Sequence, residues 1–108
     1  MKAVVKDIIH SEIAAFHNEG LQLFECLQLA IKNNEPVEIS FIGIERCATQ
    51  FLNSSIGKIY LMYNPKIANS LISYDYGNLT RLPQKIEEVI ENAINSKEYD
   101  SWIENATA

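Results

Sequence analysis

The chain has only two cysteines, Cys26 and Cys47, placed in different segments and forming no CxxC pair. That spacing suits a reducing compartment better than a disulfide scaffold. Glycine and proline are also sparse, at 4 and 3 residues, so neither a glycine-rich phosphate loop nor a low-complexity linker is present. No uninterrupted apolar run approaches the length that crosses a bilayer. Basic residues are outnumbered 9 to 14, giving a net charge of -5, and they are scattered along the chain. Nucleic-acid binding needs a clustered basic face, so this balance argues against it. Acidic residues interrupt the apolar segment that follows the two early lysines of MKAVVKDIIHSE, and no small-residue cleavage site follows. A secretory signal is therefore not expected, and the expected location is the cytoplasm.

Catalytic patterns are missing as well. No nucleophile elbow or Ser/His/Asp arrangement is found. His10 and His17 stand seven residues apart with no Cys or carboxylate at ligand spacing, which speaks against a metal site. Glu87, Glu88 and Glu91 share the polar side of a helical pattern and read as a solvated face, not as an acid/base pair. The expectation is a protein without enzyme activity and without a cofactor.

What is present is an ordinary globular composition, 47% apolar and 21% charged, over 108 residues. This length holds one hydrophobic core, so residues 1–108 are read as a single domain with its core at about 18–96 and a tail over 97–108. Leu23, Phe24, Leu27, Ala30 and Ile31 recur at helical spacing and predict a helix from Asn18, as N-cap, to Asn33. Val37, Ile39 and Phe41 alternate with Glu38 and Ser40, and Ile42 closes the run as a largely buried strand before Gly43. A second helix is expected over Gln50–Tyr63, with Leu52, Ile56, Ile59, Tyr60 and Tyr63 inward and Asn64-Pro65 as its stop. There Ser54, Ser55 and Gly57 are small enough to let a neighbouring element approach.

Leu71–Tyr74 is a short strand candidate, and Tyr76-Gly77-Asn78 reads as a turn. Ile86, Val89, Ile90, Ala93 and Ile94 mark a third helix over Pro83–Ser96, with Lys85 facing water. Tyr99, Trp102 and Ile103 in the tail either extend that helix or dock separately, with packing preferred to partner contact for the aromatic pair. Val4, Val5, Ile8 and Ile9 fit helix and strand about equally, and Ala3–Phe16 is read as strand. Alternation of helix and strand implies an α/β fold, a small mixed or mostly parallel sheet covered by helices.

The most informative stretch is VEISFIGIERCATQFLNSSIGK, Val37 to Lys58, where a strand runs through Cys-Ala-Thr straight into a helix. Such a corner places the Thr49 hydroxyl at a helix N-terminus on the surface, as N-cap to an otherwise unpaired N–H. Phosphorylation there would add about -1.5 to -2 charge at the positive end of a helix. Cys47 lies beside the same terminus, where a thiol pKa can fall, but an inert buried thiol is the preferred reading. Rapid alkylation at neutral pH would mark the reactive alternative.

FIGIERCATQFLNSSIGKIY resembles the strand, turn and helix of small bacterial STAS-like domains of unknown function, through Phe41, Ile42, Gly43, Ile44, Thr49, Phe51, Gly57 and Lys58. The likeness extends from about Asn18 to VIENA at Val89–Ala93. It implies a STAS-like fold related to the anti-sigma-factor antagonists, in which the equivalent turn carries a serine phosphorylated by a histidine-kinase-like ATPase. By position Thr49 matches that serine, although Ala48-Thr49-Gln50-Phe51 replaces the antagonists' Asp-Ser-Ser-Gly. The resemblance thus implies a regulatory domain that docks a partner protein, such as that ATPase, through Cys47, Ala48, Thr49, Gln50, Asn53 and Ser54, with Thr49 as candidate phosphoacceptor. The alternative is a small mobile-element or defence-associated adaptor that acts by steric occlusion through the acidic helix or the aromatic tail.

Overall fold

The computed structural model describes the backbone of residues 1–107 and the side chains of residues 1–97. In chain order the elements are β1 (Lys2–Val4), α1 (Val5–Ile9), β2 (Ile13–Ala14), α2 (His17–Lys32), β3 (Val37–Ser40) and β4 (Arg46–Cys47). Then follow α3 (Thr49–Leu52), a π-helical segment (Asn53–Gly57), α4 (Lys58–Met62), α5 (Pro65–Leu71), β5 (Ile72–Asp75) and α6 (Leu82–Thr107).

Strand β3 is the middle of a three-stranded sheet of order β1-β3-β5, parallel on both sides, with Ala3 opposite Ile39 and Ile39 opposite Tyr74. A second, two-stranded sheet pairs β2 with β4, also parallel. Parallel neighbours require crossovers, and the helices supply them while covering the sheet, which is the α/β arrangement expected from the sequence. Val37, Ile39 and Phe41 are buried as their alternation requires. Ile42 is not: it is 52% exposed, because the chain leaves the sheet after Phe41 in a turn closed by Ile44 N–H on the Phe41 carbonyl. Gly43, at φ 83°, takes the left-handed position of that turn.

The first segment is strand only in part. Lys2–Val4 and Ile13–Ala14 are strands, but Val5–Ile9 between them is helical and buries Val5 and Ile9. The core therefore does not begin near residue 18. One continuous cluster of buried side chains reaches from Ala3 to Ala93.

Helix α2 buries the five apolar positions read from the sequence, but it starts at His17, with Phe16 and not Asn18 as N-cap. A phenylalanine side chain offers no acceptor there. Glu19 compensates by turning back to accept from the Phe16 N–H at 3.2 Å and the Ala15 N–H at 3.3 Å.

The expected Gln50–Tyr63 helix forms as three pieces, with a π-helical turn in the middle. The hydroxyls of Ser54 and Ser55 donate to the Phe51 carbonyl at 3.2 and 2.8 Å, offering that acceptor a partner outside the regular ladder. α2 packs on this segment through Gly20. A Cβ on Gly20 would overlap Ser54 Oγ and lie 2.6 Å from the Phe51 carbonyl oxygen. Of the small residues noted in the sequence, Ser54 meets Gly20 of α2, while Gly57 faces Val89 of α6.

Asn64-Pro65 ends one helix and begins another. Asn64 Oδ1 accepts from the Lys66 N–H at 2.8 Å, and Pro65 takes the first helical position of α5. Helix α5 displaces the next strand by one residue, to Ile72–Asp75, and leaves Leu71 helical. α6 begins at Leu82 and its backbone continues to Thr107; the side chains of Tyr99, Trp102 and Ile103 lie outside the described residues. No helix among the described residues is long and apolar enough to cross a membrane.

Candidate functional site

The corner between β4 and α3 is held from below by the second sheet. Ala14 lies opposite Cys47, and the Ala48 N–H donates to the Ala14 carbonyl at 2.8 Å. Alternation along β4 turns Arg46 to solvent and Cys47 inward. Ala48, in an extended conformation, is the N-cap, and its carbonyl accepts from Phe51 and Leu52 at 3.1 and 3.3 Å. Thr49 is therefore the first helical residue, not the cap expected from the sequence, and the helix start has no side-chain cap.

The consequence for Thr49 is direct. It is exposed, as is Gln50, and its hydroxyl makes no hydrogen bond among the described residues. Phe51 and Leu52 are served by the Ala48 carbonyl, which leaves the Thr49 and Gln50 N–H groups without an acceptor among the described residues, so the corner carries the partial positive charge of uncapped amides. Asn53 is also exposed.

The other two residues expected at this surface are turned away from it. Ser54 is 4% exposed, wedged against Gly20, with its hydroxyl spent on the Phe51 carbonyl. Cys47 is 7% exposed. Burial pushes its thiol up to about 12, against an opposing pull from the nearby Lys85 ammonium, so at neutral pH it is a thiol and not the thiolate that a helix terminus favours. Desolvation wins because the side chain points into the core. Cys26, half-buried on α2, is likewise pushed up, by burial and then by Glu25.

Beside the corner runs a groove of about 590 Å³ between β4 and the start of α6. Ile13 and Leu79 contribute apolar surface, and Arg46, Arg81 and Lys85 contribute cations. Lys85, expected to face water, lies half-buried and donates from Nζ to the Cys47 carbonyl at 3.1 Å. This grouping is not apparent along the chain, where the cations look scattered. One signal was available: Arg46 and Arg81 are the only arginines, and both belong to this groove.

His10, in a left-handed conformation at φ 55°, caps the end of α1, while His17 opens α2; both are exposed. Among the described residues no group of three or more His, Cys, Asp or Glu side chains is placed to hold a metal ion. Glu87, Glu88 and Glu91 face solvent along α6.

Residues 19–75 match the family model of the STAS-like domain of unknown function (DUF4325). The match runs from the first turn of α2 through the corner to the end of β5, so VIENA in α6 lies beyond it. No curated protein and no solved structure matches the chain. The family match spans more than half of the 108 residues and includes the whole β4–α3 corner, and on that ground the chain belongs to the family of STAS-like domains of unknown function.

Proposed function

We propose that this chain is a non-enzymatic regulatory domain of the cytoplasm that binds a partner protein through the β4–α3 corner. The observation that carries the reading is the Thr49 side chain, exposed at the first position of a helix with a hydroxyl that bonds to none of the described residues. A threonine that capped the helix would have an adequate structural reason to be there. This one has none of that kind. The docking surface is Ala48, Thr49, Gln50 and Asn53, without the buried Cys47 and Ser54.

The kinship of STAS-like domains with anti-sigma-factor antagonists supports a histidine-kinase-like ATPase as the partner. In that role Thr49 Oγ attacks the γ-phosphorus of ATP held by the partner, the bond to the β-phosphate oxygen breaks, ADP leaves and the hydroxyl proton passes to solvent. The resulting phosphate sits over uncapped amides, where its negative charge is favoured, and changes the charge of the surface that the partner covers.

The test is a pull-down with mass spectrometry using wild type, Thr49→Ala and Thr49→Glu. Thr49→Glu is expected to change recovery of the partner, and Thr49→Ala to abolish its phosphorylation while leaving the fold intact. If both variants recover every partner as wild type does, the switch is excluded.

A further inference from the structure

Arg46 and Arg81 lie far apart in sequence, one on the two-residue strand β4 and one just before α6, yet both line the groove beside the corner. Both are exposed, and neither forms a salt bridge or a side-chain hydrogen bond among the described residues. Lys85 reaches the same groove; its bond to the Cys47 carbonyl uses one of three ammonium protons. Among the described residues a single carboxylate, Glu45, lines the groove against these three cations. In a chain of net charge -5, bringing both arginines and a lysine to one concave surface runs against the overall balance. Leu82, the first residue of the long helix α6, borders the groove, so the positive end of that helix adds to the field.

We propose that this groove is an anion-binding site for a small organic ligand, whose phosphate or carboxylate is received by Arg46, Arg81 and Lys85 and whose apolar body lies against Ile13 and Leu79. The guanidinium fork matches either anion with paired N–H bonds, which a lone ammonium does not. The volume of about 590 Å³ is that of a small-molecule cleft, and apolar walls with a few convergent polar groups are its usual lining. The site adjoins the corner without including Thr49, so it stands or falls apart from the partner reading.

Two arginines give two side-chain Nε–Hε signals in a nitrogen-edited NMR spectrum, each assigned by its own Arg→Gln variant. The full chain is titrated at mildly acidic pH with phenyl phosphate, inorganic phosphate and benzoate, with sodium chloride at matched ionic strength as reference. Both signals are expected to move saturably with phenyl phosphate and benzoate, and more weakly with inorganic phosphate, which lacks the apolar body. Arg46→Gln or Arg81→Gln should weaken phenyl phosphate binding about tenfold, while Lys32→Gln, at an exposed cation that does not line the groove, leaves it unchanged. Backbone amide spectra verify that each variant is folded. Shifts no larger than those caused by chloride, or unchanged binding in both arginine variants, would overturn the site. Movement with a glutamate-rich peptide but with none of the small anions would overturn the small ligand in favour of an acidic partner segment.

Discussion

Ala48 takes the capping position that the sequence suggests for Thr49. A threonine before an amphipathic run is ordinarily read as a cap, but β4 ends at Cys47 and its bond from Ala48 N–H to Ala14 brings the helix start one residue earlier. Thr49→Ala should then cost less than about 0.5 kcal/mol in urea unfolding, where loss of a true cap would cost about 1 kcal/mol. Ala48→Ser places a hydroxyl at the vacant capping position and should raise stability by about 0.5 to 1 kcal/mol, read as a higher urea midpoint at unchanged slope. A Thr49→Ala loss of about 1 kcal/mol with no gain from Ala48→Ser would restore Thr49 as the cap.

Cys47 gives a pH dependence whose sign follows from its burial. Its folded-state value, about 12, lies above the ordinary 9.0, so above pH 9 the unfolded chain has lost the proton that the folded chain retains. Stability attributable to this group is present below pH 9 and falls as pH rises towards 12, by at most about 1.4 kcal/mol per pH unit. Urea midpoints measured from pH 8 to pH 10 should drop for wild type and drop less for Cys47→Ala. Iodoacetamide at neutral pH should label Cys47 slowly until urea is added. Fast labelling of the folded protein would mean that the thiol is open to solvent.

At the scale of elements, α2 meets the π-helical segment so closely at Gly20 that no room is left for a methyl group. Gly20→Ala drives a methyl group into Ser54 Oγ and to 2.6 Å from the Phe51 carbonyl oxygen. The first neighbour is a side chain that a second substitution can shorten, but the second is backbone. Gly20→Ala should cost about 1 to 3 kcal/mol, and adding Ser54→Ala should return only part of it, measured by thermal unfolding of the three variants. Full rescue by Ser54→Ala would show that the backbone contact yields without cost.

The same elements show how far the chain could be read. The stripes of α2 and α6 were legible because one face is buried and 3.6-residue periodicity leaves a plain mark. The π-helical turn was not, since Ser54, Ser55 and Gly57 announce close approach but not the register change that their hydroxyls help to satisfy. Helix α5 was missed because Asn-Pro both stops and starts helices, and only the Asn64 bond to Lys66 N–H decides between them. Of the candidate site, exposure of Thr49 was legible from the corner and burial of Cys47 from the usual place of a free thiol; the inward turn of Ser54 was not, because it depends on Gly20, which is remote in sequence.

For the whole molecule, the two ends of the chain differ in what they contribute. β1 forms one side of the three-stranded sheet, and Ala3, Val5 and Ile9 belong to the common core. Beyond Ala93, by contrast, no described side chain is buried. A chain beginning at Val5 leaves one edge of β3 without its ladder, and with it a row of unpaired N–H and carbonyl groups above an apolar core. That chain should lose its cooperative urea transition or aggregate, while a chain ending at Lys97 keeps a single transition with a midpoint near that of wild type. Near-UV circular dichroism in both preparations separates folded from collapsed material. If the chain ending at Lys97 folds but no longer recovers a partner that wild type binds, the contact belongs to the tail and the occlusion adaptor gains over the corner. Equal midpoints for both truncations would show that β1 adds nothing to the stability of the sheet.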